Sequence, residues 1–532
     1  MQIEMARRPA SGGSPGSRLD RVLAGRAGAA RAGLALLALT IVTRLPSLLN
    51  PGPIDDESVY SVVANVMLAG GTPYSDAIER KPPLLFCVYW LVFKLFGSYN
   101  WLALHVVALA WVLLTMLGLY ALVRPLFDQR AGLVAALVYS ALQPWVTAKN
   151  LAFNGEVLMN MPLVWAYVLV LRPPRVSGAE IRPFAAGVLV AVASLLKQPA
   201  AIAAVPLIVY LASPEGVRPA PVWLRFARAR VLAFLAGSLA VLAAATFELW
   251  RRRVLGDAFY WSVTNHTVPR VFWLHGFEHT ALFALCAWPA ILLLATRRPL
   301  RHAWRARSAQ FYAILGWLVV SWIGAAAGGR FYPHYYIQVI PPLAALAAPC
   351  FGRAMPLQAG WQARWLSPRV AGAWLALVVG VSLGVQTFQL TQLRAVPAAA
   401  GFVRAASHDR DRMFVWGQAT EMYVAADRLP ASRYIATFPL TGYIFGGATD
   451  GVSTDARIVP GAWANLAHDF AAHPPRFIID AQAATGDAYP LHRFRLMAAF
   501  VARHYRRRAV LGDGIVYERR ADAAGAASLR NE

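Results

Sequence analysis

Hydrophobic residues in this chain come in long unbroken blocks separated by short polar connections. "GLALLALTIVTRLPSLLN" (33–50) and "WLALHVVALAWVLLTMLGLYALV" (101–123) are two of them. Blocks of about 15–23 apolar residues match the thickness of a bilayer core. Continuous runs, rather than ~10-residue alternating segments, select helices over a membrane barrel. The pattern predicts about eleven spans, near 31–49, 101–123, 130–147, 156–171, 184–197, 199–213, 230–248, 280–296, 310–327, 335–351 and 369–389.

After about residue 390 the pattern changes. MFVWG (413–417), RFIID (476–480), RRAVL (507–511) and GIVYERR (514–520) read as short strands. Gly512-Asp513-Gly514 is a hairpin signal between the last two. The fold class expected is a polytopic α-helical membrane protein with a C-terminal soluble α/β domain. Its parts would be a disordered basic cytoplasmic tail (1–30), a transmembrane domain (31–389), an external α/β domain (390–520) and a disordered tail (521–532).

Composition agrees with a membrane protein. Of 532 residues, 58% are hydrophobic and only 15% charged, well below the quarter usual in soluble domains. The net charge of +24 reads as positive cytoplasmic loops, not as a nucleic-acid surface. The basic connections lie at 124–130, 171–183, 217–230, 297–308 and 351–369. All five fall inside if the apolar block 82–97 does not cross, and all five fall outside if it does. The block is therefore expected as an outer juxtamembrane helix (83–97), beside another at about 57–70; Lys94, Tyr89, Trp90 and Phe93 suit an interface. The N-terminus is then cytoplasmic and the C-terminal domain external. Cys87, Cys286 and Cys350 lie in apolar segments without metal-ligand spacing and read as small core residues.

This topology gathers charge on the outer face. Asp55, Asp56 and Glu57 follow the first span, and Glu156 opens another. Arg44, Lys81, Lys149, Lys197, Arg251 to Arg253, Arg330 and His334 share that side. For Arg44 and Arg251 to Arg253 the plain reading is snorkelling to headgroups. For the aspartates it is helix capping, more readily by Asp55 than by Asp56. Lys81, fixed beside Pro82-Pro83, and Lys197, beside Gln198-Pro199, fit an anionic phosphate or pyrophosphate better. A carboxylate facing such a site can take a proton from a hydroxyl.

Several of these residues form an ordered set. Asp56-Glu57 is followed by Tyr60, Ala64, Gly70-Gly71, Tyr74 and Lys81-Pro82-Pro83-Leu84. Glu156 is followed by Met159 and Pro162, and later come "GGRFYPHYYIQVIPPLAAL" (328–346) and "VWGQATEMYVAADRLPASRYIATFP" (415–439). From about 40 to 520 the chain resembles the GT-C glycosyltransferases, in the protein-mannosyltransferase and aminoarabinose-transferase branch with its bacterial surface-glycan relatives. The resemblance implies an inverting glycosyltransferase of the cytoplasmic (inner) membrane, using a polyprenyl-phosphate sugar donor at the outer face. It implies Asp56 as base and Glu156 as its helper at the acceptor. Lys81, Arg330 and His334 would hold the departing phosphate, with Glu57, Tyr60, Lys197 and Arg80 in support. Its partners would be the donor, membrane lipids and a glycolipid, polysaccharide or protein acceptor, without nucleic acid. One departure stands out. Aminoarabinose transferases often carry Glu directly before Lys-Pro-Pro, where this chain has Arg80, with Glu79 one place earlier. A metal site built on that Glu does not carry over; no cofactor is assigned, and a divalent metal stays open.

Other signals are weaker. His275-Gly276-Phe277-Glu278-His279 fits an inverted zinc-protease motif, but Gly276 weakens the helix it needs and no third ligand is evident. Asn265-His266-Thr267 is a glycosylation triplet of a kind common by chance. The many Trp and Tyr residues read as interface belts before sugar platforms, although Tyr260, Trp261 and Trp273 fit either role. A lipid-linked glycan transporter or flippase is the main alternative, though its charges belong near the midplane and no internal repeat is visible. A non-catalytic glycan-binding membrane protein is the other.

Overall fold

The computed structural model describes residues 25–172, 181–213, 220–265, 271–295, 304–351, 367–393, 396–443, 453–481 and 489–521. The expected tail up to residue 24, most of the basic loops at 171–183, 297–308 and 351–369, and residues 522–532 lie outside them. So do His266 and Thr267 of the glycosylation triplet.

The membrane part is helical throughout. It comprises α1 (Gly25–Leu49), α2 (Glu57–Leu68), α3 (Pro83–Phe96), α4 (Trp101–Val123), α5 (Gln129–Leu142), α6 (Gly155–Leu171) and α7 (Ile181–Leu196). It continues with α8 (Ala204–Ala212), α9 (Ala220–Arg251), α10 (Leu255–Phe259), α11 (Trp273–Ala295), α12 (Ser308–Ala326), α13 (Ile340–Ala347) and α14 (Pro368–Leu393). Among the described residues six helices are long and apolar enough to cross a membrane: α1, α4, α9, α11, α12 and α14. The chain is a multi-pass membrane protein, but the expected eleven spans are corrected to these six of crossing length. The others are short or broken. Helices α5, α6 and α7 have 14, 17 and 16 residues, or roughly 21–26 Å at 1.5 Å per residue, short of a ~30 Å core. The 199–213 and 335–351 segments are split by 3₁₀ turns that begin at Gln198-Pro199 and Pro333, where proline cannot continue a helix. Helix α3, expected not to cross, has 14 residues, and its Lys94 ammonium lies 4.6 Å from the Trp90 ring centre.

Helices α7 and α9 cross at two glycines. A Cβ on Gly187 would stand 1.9 Å from the Phe234 carbonyl oxygen, and one on Gly237 2.0 Å from that of Phe184. Only glycine permits this approach, as at other close helix crossings in membranes.

Beyond α14 the chain forms α15 (Ala398–Ala406), β1 (Met413–Trp416), α16 (Glu421–Ala426), α17 (Ala462–Ala472), β2 (Phe477–Asp480), α18 (Arg495–His504), β3 (Tyr505–Leu511) and β4 (Gly514–Arg519). The sheet order is β1-β2-β4-β3, with β1 and β2 parallel and both other pairings antiparallel. Leu511 pairs with Gly514 around the Gly512-Asp513 turn. Strands β1 and β2 are wholly buried, whereas Arg506, Arg507 and Arg508 leave the edge strand β3 charged, which protects an open edge from further pairing. This region docks on α2 and the segment that follows it: Ile78 N donates to the Arg433 carbonyl (2.8 Å), and the Ser58 and Thr420 hydroxyls are 2.9 Å apart.

Candidate active site

The acidic stretch before α2 divides its labour. Asp55 has φ +53°, in the left-handed region that Asp tolerates better than most residues. The chain turns there, and Asp56 becomes the N-cap position without a capping bond from its side chain. Glu57 reaches back instead and accepts from the Ile54 N–H at 2.9 Å, as the Glu of a capping box does. The expected cap role of Asp55 is corrected, because its carboxylate pairs with Lys149 at 2.8 Å. Asp56 is left to face outward. Its Oδ2 accepts from the Tyr60 hydroxyl at 2.9 Å and lies 3.6 Å from Lys81 Nζ.

Lys81 sits just before α3, where Pro82 is the N-cap and Pro83 opens the helix, a position that suits proline. The Tyr74 hydroxyl donates to the Lys81 carbonyl at 2.8 Å. Glu156 stands in the first turn of α6, capped by Asn154, whose side chain accepts from Val157 N. Lys197, where α7 ends, puts Nζ 2.7 Å from Glu156 Oε1. Its stem passes over Gly155, where a Cβ would stand 2.7 Å from Lys197 Cδ. The Lys197 ammonium also lies 5.0 Å from the Tyr335 ring centre, within cation–π range.

Gly329 (φ +61°) and Phe331 (φ +52°) twist the chain on either side of Arg330. The 3₁₀ turn from Pro333 then carries His334, which is buried against Tyr332 and Tyr335. His334 Nδ1 has no hydrogen-bond partner among the described residues.

Asp56, Tyr60, Arg80, Lys81, Glu156, Lys197, Arg330 and His334 all line one cavity of about 470 Å³, together with Asp55, Glu79 and Lys149. The C-terminal region closes one wall with Gln418, Ala436 and Phe438, and the Arg80 guanidinium lies 4.8 Å from the Phe438 ring centre. Helices α2, α3 and α6 begin at this cavity, so their positive ends add to its cationic character. Burial pushes the Asp56 carboxyl up, but Lys81, His334, the Tyr60 hydroxyl and Lys197 outweigh it and hold it well below the usual carboxylate range. Burial likewise pulls the Lys81 ammonium down, and Asp56 with its neighbours more than restores it. His334 is pushed below its ordinary value by burial, against the pull of Glu156.

Glu57 does not reach the cavity. It is fully buried, accepts from Phe153 N at 2.6 Å through Oε1, and meets His105 Nε2 at 3.2 Å through Oε2. His105 Nδ1 lies 2.9 Å from the Ser47 carbonyl oxygen. Arg44, expected to snorkel, is corrected to a buried residue: it donates to the Leu151 carbonyl and to Gln143 Oε1. Its side chain ties α1 to the segment that leads into α6. Arg251 and Arg252 are exposed, and both pair with Glu248. The sequence reading missed His105, Gln143 and Phe438. A lone His inside the apolar run WLALHVVALAW (101–111) is the signal that marks His105; no local signal marks Phe438.

Among the described residues no group of three or more His, Cys, Asp or Glu is placed to hold a metal ion. In the cavity, Asp55, Asp56 and Glu156 each face an ammonium, while Glu79 also lines it. His275 and His279 stand on α11 with ring centres 5.9 Å apart, and His279 Nδ1 faces the Phe331 carbonyl at 2.8 Å.

The fold is shared with solved membrane glycosyltransferases. The family of dolichyl-phosphate-mannose-protein mannosyltransferases matches residues 80–250, less than half of the chain. ArnT from Cupriavidus metallidurans, solved bound to undecaprenyl phosphate, superposes with a TM-score of 0.59 at 16% identity, over 94% of this chain and 100% of that one. The Archaeoglobus fulgidus oligosaccharyltransferase tethered to an acceptor peptide gives 0.50 at 14% identity, over 92% and 74%. The arabinofuranosyltransferase AftD from Mycobacteria gives 0.50 at 14% identity, over 94% and 40%. No curated protein matches the sequence.

Proposed function

We propose that this protein is an inverting glycosyltransferase. It moves a sugar from a polyprenyl-phosphate donor to an acceptor hydroxyl at the outer face of the cytoplasmic membrane, with its N-terminus inside and its C-terminal domain outside; that arrangement requires an odd number of crossings, so an odd number of the shorter or broken helices cross beside the six long ones. The carrying observation is the cavity in which Asp56 meets Lys81, and Glu156 meets Lys197, beside Arg330 and His334. The ArnT likeness, with undecaprenyl phosphate bound to that protein, supports the donor class.

In this reading Asp56 takes the proton of the acceptor hydroxyl while that oxygen attacks the anomeric carbon. The bond from the anomeric carbon to the phosphate oxygen breaks, and its electron pair stays on the phosphate. Attack from the face opposite the leaving group inverts the centre. Lys81, Arg330 and His334 surround the oxygens where charge grows, so their stabilisation is greatest in the transition state. Glu156 orients the acceptor and is itself held by Lys197.

Lys81 contributes most to the low proton affinity of Asp56. An arriving phosphate shares the charge of Lys81, which weakens its hold on Asp56 and raises the affinity of Asp56 for a proton. Donor binding thus makes Asp56 a stronger base when a base is needed.

The test uses purified full-length protein with a set of polyprenyl-phosphate sugars and crude envelope glycolipid as acceptor. Acceptor-dependent release of free polyprenyl phosphate by wild type, lost in Asp56→Asn although the variant still binds the lipid, is the expected result. Binding without turnover across a broad acceptor set would overturn it in favour of a carrier or binding protein.

A further inference from the structure

The catalytic cavity does not end at Arg80 and Phe438. Those two residues also line a second cavity of about 260 Å³, which extends along Arg457 and Tyr260. Tyr260, Val459 and Pro460 in turn line a third, of about 330 Å³. The three form one track along the seam between the 255–265 segment and the C-terminal region.

The walls of this track have the chemistry of a sugar site. Tyr260 is exposed, and its ring packs edge-on to buried Trp261 at 4.9 Å. Trp261 rests in turn against Phe438 at 6.1 Å, so the aromatic wall is continuous with the catalytic cavity. Polar groups stand between the rings. Asp257 and Arg457 line the track, and neither side chain makes an ion pair or hydrogen bond with the described residues. Asn465 Nδ2 donates to the Tyr434 hydroxyl at 3.3 Å, which leaves its carbonyl oxygen available. Aromatic faces with sparse, divergent polar groups match the flat apolar faces and hydroxyl rims of sugars. An extended peptide would want a strand edge to pair with, and no strand residue lines either outer cavity. A lipid chain would strip water from Asp257 and Arg457, which have no partner among the described residues.

We propose that the acceptor is a saccharide chain, whose sugars beyond the reacting one lie along the seam between Phe438, Tyr260 and Tyr434. This rests on the glycosyltransferase reading and names the acceptor class for it. Arg457 and Asp257 fix the hydroxyls of the outlying sugars, and Tyr260 stacks on one of them.

The test measures binding and transfer separately on the full-length protein. The probes are size-fractionated oligosaccharides from bacterial envelopes and hydroxyl-bearing peptides of matched length. Wild type is expected to bind longer oligosaccharides more tightly than shorter ones. Tyr260→Ala and Asp257→Asn, both at exposed positions, each weaken binding of the longer fractions by about tenfold, one good contact apiece. Affinity independent of saccharide length, or peptides bound in preference, would overturn the proposal. Length-dependent oligosaccharide binding without transfer from any donor would sink the glycosyltransferase reading and leave a glycan-binding track. Transfer that ignores acceptor length and both substitutions would sink the track and leave the glycosyltransferase.

Discussion

Asp56 and Lys81 stand 3.6 Å apart with 34% and 21% of their side chains exposed, whereas Glu57 and His105 meet at 3.2 Å with no exposure at all. Both pairs join an acid to a base, and the two acids are neighbours in the chain. The cavity pair retains access to water, so an incoming anion can share its cation at modest cost. The buried pair has no such freedom. Glu57 also receives two backbone N–H groups, and removing one partner strands the others away from water. Adjacent carboxylates can therefore serve exchange with a ligand in one case and fixed architecture in the other.

The sharpest break of this comparison is the pair Asp56→Asn and Glu57→Gln. Asp56→Asn should lower turnover by about 10²–10⁴-fold, the usual worth of a general base, with its melting temperature in detergent nearly that of wild type. Glu57→Gln should do the reverse. It should lose on the order of 2–4 kcal/mol of stability, because an amide cannot accept as Glu57 does at both oxygens. Equal thermal loss in both variants would erase the distinction.

Lys81→Met comes next, with turnover down by roughly 10²–10³-fold for one missing cation at the leaving group. It also carries a signed pH effect. Lys81 helps hold Asp56 below the usual carboxylate range, so Asp56 stays ionised in wild type well into acid. Without Lys81 its proton affinity rises, and activity should fail at a higher pH on the acid side, toward the ordinary value of about 3.9. An unmoved acid limb would detach Lys81 from Asp56.

Tyr60→Phe removes a single hydrogen bond to Asp56. A roughly 3–10-fold loss of turnover, with the acid limb shifted slightly upward, is expected for about 1 kcal/mol. The smallest effect is that of a chelator. Asp55, Asp56 and Glu156 each face an ammonium, so EDTA should leave turnover unchanged; restoration of a lost activity by a divalent salt would show that a cation binds among the cavity carboxylates.

Much of the fold was legible because apolar blocks and proline breaks act locally. Pro83 and Pro199 set where helices restart, and Gly512-Asp513 sets the β3–β4 turn. Span counting went further than helix length allows: 3₁₀ turns that begin at Gln198-Pro199 and Pro333 take up the first part of two expected spans, and α-helix follows only from Ala204 and Ile340. Arg44 misled for another reason. An arginine near a span end satisfies a snorkelling rule whether or not the carbonyl of Leu151, far along the chain, comes to meet it.

The sequence by itself determined a multi-pass helical membrane protein with a β-containing C-terminal region, and a set of charges placed where helices begin. Those features follow from apolar run length, from proline and from short-range charge patterning, all carried within a few residues. Only the tertiary structure decided that Asp56 faces the cavity while Glu57 turns inward. That choice depends on the left-handed turn at Asp55 and on Phe153 N and His105 arriving from distant helices to claim Glu57. It also brought Phe438 and Tyr260 together into a track leading away from the cavity. Contacts between residues so far apart depend on how whole helices pack, and no local pattern encodes them.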